Sequence, residues 1–137
     1  MKLGVICDGI SRDLAHSVDV MDEFDLEYAE LQFVGEKEVG DHSADEIKAI
    51  DRLLRDRGKP VSCLSRHIFA GMTIDNQPGD ELHQKHLDSL MRFIDMAHSV
   101  GSPLIRIMIN KKKQILREKM VQKNGTWLTL LGRRSNH

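Results

Sequence analysis

The sequence is poor in the residues that mark disulfide-bonded and nucleic-acid-stacking proteins. Its 137 residues include two cysteines, one Trp, one Tyr and four Phe. Two cysteines without CxxC spacing favour free thiols over a disulfide or a zinc site. Cys7 and Cys63 both lie in apolar segments, so we expect two buried free thiols. The low aromatic content disfavours a surface on which bases stack.

Long hydrophobic runs are also missing. No stretch of about 18 apolar residues occurs, which excludes a transmembrane helix. The N-terminal segment "MKLGVICDG" enters a short strand-like run without the apolar stretch and cleavage site of a signal peptide, so a cytoplasmic protein is expected. With 40% hydrophobic and 30% charged residues, the chain has the composition of an ordinary globular domain.

The charges are distributed unevenly along the chain. Residues 1–110 contain 12 Lys and Arg against 20 Asp and Glu, whereas residues 111–137 contain 8 against 1. We therefore interpret 1–110 as the folded body and 111–137 as a basic tail, non-native or poorly ordered. The tail carries enough positive charge for non-specific contact with nucleic acid, but the acidic body and the single Trp disfavour such a partner, and a solvated tail is expected.

Strand and helix patterns alternate in the body. Strands are predicted at 3–7, 27–33, 60–65 and 104–109. The intervening segments carry apolar residues at helical spacing, with Ser11 as the expected cap of the first helix and Ser43 and Glu46 as a capping box for the second. A loop over 66–79 precedes the third helix. This alternation predicts right-handed crossovers and a parallel sheet in an α/β fold.

Four such units fit either a small open sheet or half of a (β/α)8 barrel. Alternation places Tyr28, Glu30 and Gln32 on one face of the second strand, and an apolar set on the other face. Cys63, Ser65 and His67 share a face of the third strand, as Leu104, Arg106 and Met108 do of the fourth. An open sheet covered by helices on both sides requires two apolar faces. One face here becomes polar toward the strands' C-terminal ends, which favours a barrel.

Four segments carry a resemblance to a known family: "MKLGVICDGISRDL", "YAELQF", "GKPVSCLSRHIFAGM" and "FIDMAHSVGSPLIRIM". They resemble the N-terminal half of the sugar phosphate isomerase/epimerase family, the xylose isomerase-like TIM barrels. The resemblance covers about residues 1–115. It implies a truncated (β/α)8 TIM barrel of about four βα units, acting in carbohydrate metabolism on a sugar or sugar phosphate.

The resemblance also implies a divalent metal, Mg, Mn, Co or Zn, in the full-length family. Its ligands, two Glu, an Asp and a His, come from strands five to eight, which have no counterpart here. We therefore expect a fragment that binds no metal and is inactive by itself. Beyond Leu116 the sequence no longer resembles the family, as expected either after a frameshift or at a natural gene end.

Two alternative functions remain: a non-catalytic half-barrel that assembles with another copy through exposed strand edges and, more weakly, an apurinic endonuclease-like enzyme.

Five residues are candidates for the site. Glu30 and Arg106 lie on alternate strands that feed the same interior layer, so we expect either an ion pair or, for Glu30, a catalytic role in proton transfer. His67, in the family's "SRH" context, is the second catalytic candidate, as a general base or a ligand of a substrate hydroxyl. Arg66, Arg106 and Gln32 are the substrate-binding candidates. His83 and His86 have a spacing that suits a metal but lack a third ligand, so a surface helix is expected.

Overall fold

Four short segments rich in apolar and β-branched residues form the central sheet. The computed structural model describes residues 1–72 and 76–108. The strands of the described chain are β1 (Gly4–Ile6), β2 (Tyr28–Leu31), β3 (Phe33–Val34), β4 (Lys37–Glu38), β5 (Val61–His67) and β6 (Ile105–Met108). The main sheet has the order β1-β2-β5-β6, and every neighbouring pair is parallel. The predicted α/β fold with a parallel sheet is confirmed.

Three α-helices connect the strands of this sheet. They are α1 (Leu14–Glu23), α2 (Ala44–Asp56) and α3 (Glu81–Ser99). Spatial strand order follows chain order, and right-handed crossovers then place every connecting helix on the same face. In agreement, α2 contacts both α1 and α3. The other face of the sheet, called the open face below, carries no helix from the described residues.

The hydrophobic core lies between the sheet and the three helices. Ala29, Leu31 and Leu64 point from the strands into this layer and are fully buried. The helices add Met21, Phe93 and Met96, which are among the largest fully buried side chains of the described residues. Because successive strand residues alternate between faces, the neighbours of these strand residues must lie on the open face.

The beginnings of the helices test two capping predictions. The box at α2 is confirmed: Ser43 Oγ accepts the Glu46 N–H at 3.2 Å, and Glu46 Oε2 accepts the Ser43 N–H at 2.6 Å. The cap predicted at Ser11 is wrong, because Asp13 caps α1 by accepting the N–H groups of Ala15 and His16. Ser11 Oγ instead accepts the Asp13 N–H at 3.1 Å, one turn before the helix.

The segment after β2 differs from the prediction. A single strand is expected over 27–33, but β2 ends at Leu31, and Phe33 begins a separate antiparallel hairpin, β3–β4. Gly35 has φ +61° in the turn between these two strands, a conformation that costs glycine little. The hairpin projects from the C-terminal end of β2, where it meets β5.

Two further predictions concern the ends of the sequence. The fourth strand is described as far as Met108, and the basic tail at 111–137 lies outside the described residues. Among the residues that are described, the helices are too short or too polar to cross a bilayer.

Candidate functional site

A three-residue polar cluster occupies the open face. Arg106 Nη2 donates to Glu30 Oε1 at 2.6 Å, and Arg106 Nε donates to Ser65 Oγ at 3.1 Å. The Ser65 hydroxyl donates to the same Glu30 oxygen. The predicted ion pair between Glu30 and Arg106 is therefore confirmed.

Strand register explains how this cluster forms from distant parts of the sequence. Glu30 of β2 lies opposite Cys63 of β5, and Ser65 lies opposite Arg106 of β6. An irregularity in the β2–β5 register leaves Ser62 as an extra residue on β5. Three neighbouring parallel strands thus contribute one polar side chain each to one patch.

The cluster is only partly shielded from solvent. The side chain of Glu30 is 22% exposed and that of Arg106 is 49% exposed, while Ser65 is buried beneath them. The pair is therefore weaker than a fully buried one, and Arg106 keeps N–H groups that can reach a ligand. A carboxylate that accepts from both Ser65 and Arg106 is held in place on this face.

Both cysteine thiols have a raised pKa, Cys7 in the core against Met21 and Cys63 on the open face. Burial, together with the Asp8 and Glu30 carboxylates, raises the pKa of the Cys7 thiol to about 11. Burial and the charge of Glu30 also raise the pKa of the Cys63 thiol. Both cysteines are free, as predicted, but only Cys7 is fully buried. Since the thiolate is the reacting form, neither residue is suited to nucleophilic catalysis at neutral pH.

His67 lies at the C-terminal end of β5, on the same face as Ser65. Its Nδ1 lies 3.2 Å from Glu38 Oε1, and its backbone N–H donates to that oxygen at 2.9 Å. Gln32 Nε2 lies 3.4 Å from the same ring nitrogen. The imidazole is thus oriented by a carboxylate from the hairpin and remains 41% exposed. His67 and Gln32, both predicted site residues, are brought together here.

Arg66 occupies a different environment from the other candidates. It lies within β5 rather than in a loop, and its side chain is 9% exposed. It donates to the Val39 carbonyl at 2.6 Å and to Asp41 Oδ2 at 3.0 Å. Alternation directs it to the helix-covered face, away from Ser65 and His67. Its role in substrate binding stays a prediction; its observed contacts fix the chain that follows the hairpin.

Two residues of the site were missed from the sequence. Glu38 lies in a hairpin that the predicted single strand over 27–33 does not allow for, although "FVGEKEV" has the strand–Gly–strand pattern of a short hairpin. Strand alternation places Ser65 on the correct face but does not by itself indicate a role for it. The signal that could have found it is its position between Glu30 and Arg106 in the strand order.

The histidine pair on α3 contacts the preceding loop. His86 Nδ1 accepts the Phe69 N–H at 3.1 Å, and His83 Nδ1 accepts the Gly79 N–H at 3.3 Å. The Phe69 ring also stacks on His83, with ring centroids 5.8 Å apart. These contacts give both histidines a structural role at the start of α3.

The polar cluster does not fit a divalent cation. Within residues 1–72 and 76–108, no group of three or more His, Cys, Asp or Glu side chains is arranged to hold a metal. Arg106 also places its positive charge on Glu30 Oε1, where a cation would otherwise bind. That this chain binds no metal stays a prediction.

A cavity of about 550 Å³ lies at the opposite end of the sheet. It is formed by the C-terminal ends of α2 and α3 and the start of β5, and Asp51 and Arg55 pair on its wall. Ligands of parallel α/β sheets bind outside the carboxyl ends of the strands. We therefore place the candidate site at Glu30 and His67 rather than in this cavity.

Fold and site together define an α/β protein with a parallel four-stranded sheet and a polar face on which no helix of residues 1–72 and 76–108 packs. Comparison with models of protein families, with curated proteins and with solved structures found no match.

Proposed function

We propose that this chain supplies the first four βα units of a sugar phosphate isomerase/epimerase barrel and, with them, part of the wall of a sugar or polyol site. The observation that carries the proposal is the open face: Glu30, Ser65, Arg106 and His67 line it while all three helices pack on the other side. The family resemblance of the sequence, which covers the same four strands, supports the proposal.

The strand order supports a barrel over a doubly wound sheet. In a (β/α)8 barrel each strand pairs with the next βα strand in chain order, and the helices form an outer ring. The order β1-β2-β5-β6, with the small hairpin excluded, follows this rule. A doubly wound sheet reverses direction at a switch point and places helices on both faces.

The chemistry of the open face suits a hydroxylated, anionic ligand. The free N–H groups of Arg106 can donate to a phosphate, and His67 can contact a hydroxyl group. Proton shifts on a sugar also need a group that polarises its carbonyl, which the family's metal supplies. The metal ligands belong to strands five to eight of the family, so we infer that the described half binds ligand weakly and does not turn it over.

Titration of the ¹⁵N-labelled chain with ribulose 5-phosphate tests this proposal. We expect chemical-shift changes at His67 and the Arg106 side chain, and their loss in Arg106→Gln. The matched control is Arg55→Gln, which removes an exposed arginine at the opposite end of the sheet. Equal shifts in both variants would place binding elsewhere and refute the site.

A second measurement tests inactivity and metal binding. In D₂O with manganese, the chain should not exchange the substrate's carbon-bound protons, and calorimetry with manganese or zinc should reveal no stoichiometric micromolar site. Exchange above the rate with manganese alone would show that four units suffice for catalysis. A stoichiometric metal site would refute the inferred absence of ligands.

One observation favours the alternative of a self-assembling half-barrel. In the described residues β1 and β6 each pair with only one strand, and Leu104, Ile105 and Ile107 near β6 are exposed apolar residues. Unpaired edges of this kind pair readily with another copy. Sedimentation over a range of concentrations should show association that Ile107→Lys reduces. A compact monomer at high concentration would exclude assembly. The endonuclease-like alternative is weaker, because residues 1–110 carry an excess of acidic residues.

A further inference from the structure

The carboxylate of Glu38 is placed against one nitrogen of His67. Glu38 Oε1 lies 3.2 Å from His67 Nδ1 and accepts the backbone N–H of the same residue at 2.9 Å. The Glu38 side chain is only 17% exposed. A carboxylate at one ring nitrogen of histidine determines which nitrogen carries the proton. With the proton on Nδ1 and donated to Glu38, the lone pair lies on Nε2.

The Nε2 atom is the free end of this ring. It forms no hydrogen bond with any residue of the described chain, where the polar contacts of the ring all involve Nδ1. Gln32 Nε2, 3.4 Å from Nδ1, can donate to it only in the opposite tautomer, but this neutral contact is longer than that of the charged Glu38 carboxylate, which therefore decides the position of the proton. Since His67 shares its face with Ser65, the unpartnered nitrogen belongs to the open face.

The position of Glu38 is secured by the residues that follow it. Arg66 donates to the Val39 carbonyl and to Asp41, so a buried guanidinium on β5 fixes this segment. Gly40 has φ +98°, and a Cβ there would lie 3.1 Å from backbone atoms of Phe93. Glu38 therefore enters the site from a packed segment, and its carboxylate has little freedom to leave His67.

We propose that Glu38 is a positioning residue that holds His67 as the neutral Nδ1–H tautomer and thereby presents Nε2 as a hydrogen-bond acceptor. An acceptor selects a hydroxyl group and offers nothing to an ionised phosphate oxygen. Arg106, in contrast, is a permanent cation that binds phosphate. The two residues therefore orient a sugar phosphate, with a hydroxyl at His67 and the phosphate at Arg106. The tautomer stands on the geometry alone, whereas the ligand part rests on the proposed function.

Long-range ¹H–¹⁵N spectra of the histidine rings, recorded at a pH where His67 is neutral, test the tautomer. His67→Asn identifies the resonances. Free histidine prefers the Nε2–H form, so a predominantly Nδ1–H ring at His67 is an informative result. In Glu38→Ala the Nδ1–H form should fall from the major to the minor species. In Glu38→Gln, whose amide oxygen can still accept, it should be largely retained.

The matched control is Glu36→Gln, which neutralises an exposed carboxylate in the turn of the same hairpin without touching His67. It should leave the tautomer unchanged. If Glu38→Ala fails to fold, the wild-type spectrum still decides, because a predominantly Nε2–H ring would overturn the proposal. So would an unchanged tautomer in a folded Glu38→Ala variant.

The ligand part is tested with ribitol and with inorganic phosphate. Ribitol should shift His67 Nε2 while Nδ1 stays protonated, and phosphate should shift the Arg106 side chain without affecting His67. Phosphate that perturbs His67 as strongly as ribitol would overturn the assignment of the hydroxyl to this residue. If the Nδ1–H tautomer is observed but ribitol has no effect, the proposed function fails and the positioning role of Glu38 stands.

Discussion

The two faces of the sheet use the same strands for different purposes. On the helix-covered face, Ala29, Leu31 and Leu64 are fully buried. On the open face, their sequence neighbours Glu30 and Ser65 form a hydrogen-bonded cluster with Arg106. Apolar burial is the main favourable term in folding, so the covered face accounts for most of the stability. The open face can therefore carry charged groups suited to a ligand.

Two arginines show the same contrast. Arg66 is 9% exposed and is engaged by Val39 and Asp41, whereas Arg106 is 49% exposed and pairs with Glu30. Both terminal nitrogens of Arg66 donate to the segment after the hairpin, while its buried Nε has no partner among the described residues, so Arg66 is committed to holding the chain. Arg106 keeps solvent-facing N–H groups. The face on which an arginine lies thus separates the structural contacts of Arg66 from the binding role proposed for Arg106.

The largest expected effect contrasts one large side chain from each face. Phe93→Ala should lower the free energy of unfolding by about 3–5 kcal/mol, because Phe93 fills the core between α3 and the sheet. Tyr28→Ala on the open face should cost about 1 kcal/mol or less, since a half-buried ring leaves no cavity. Urea denaturation measures both. Equal losses would mean that the open face is covered and that the contrast between the faces is wrong.

The next effect concerns Gly40, in the segment between the β3–β4 hairpin and α2. Gly40→Ala should cost about 2 kcal/mol or more, because its positive φ strains an L side chain and the new Cβ meets the Phe93 backbone. Gly9→Ala is the control, since no atom lies within 4 Å of a Cβ there. Thermal and urea unfolding of both variants provide the comparison. A loss of stability at Gly9 as large as that at Gly40 would show that the cost comes from replacing a glycine as such, and not from the strain and close contact at Gly40.

Local and periodic features of this fold could be predicted from the sequence. The capping box joins residues three apart, so its pattern is visible in the sequence. The Glu30–Arg106 pair joins residues 76 apart, yet it followed from strand periodicity and the layering of parallel strands. Helices and strands have a fixed geometry, so the spacing of residues in the sequence predicts which side chains meet in space.

The misjudged residues lie where that regularity ends. The sequence predicts a loop at Arg66, because the third strand is expected to end at 65, but hydrogen bonding with β6 extends this strand to His67. Glu38 was missed because its contact with His67 depends on a hairpin that redirects the chain after β2. Strand ends and the direction of a turn depend on tertiary packing, which a single sequence does not express.

The third prediction measures the coupling of the open-face pair. Glu30→Gln and Arg106→Gln should each cost about 1–2 kcal/mol, less than for a fully buried pair, because solvent reaches half of Arg106. The double variant should cost clearly less than the sum, since each single change already removes the contact. Unfolding of the three variants and the wild type completes a double-mutant cycle. Additive losses would mean that the two side chains do not interact in solution.

The smallest effect lies on the solvent-exposed side, where Lys37 of the hairpin contacts Glu46 of α2. Lys37 Nζ donates to Glu46 Oε2 at 2.8 Å, and this contact, with the Ser43 N–H, lowers the pKa of Glu46 to about 2. Because the pKa of Glu46 in the folded state lies below that in the unfolded chain, the stabilisation is fully present above about pH 4.5 and is lost as the pH falls toward 2.

Glu46→Gln should lower the free energy of unfolding at neutral pH. In the acidic range its free energy of unfolding should approach that of the wild type, since Gln preserves the capping box. Glu36→Gln, at the same hairpin, is the matched control, because among the described residues Glu36 pairs with Arg12 alone, at 3.5 Å. Urea unfolding between pH 2 and 7 measures the difference, and a constant gap between Glu46→Gln and the wild type would show that the charge of Glu46 does not stabilise the fold.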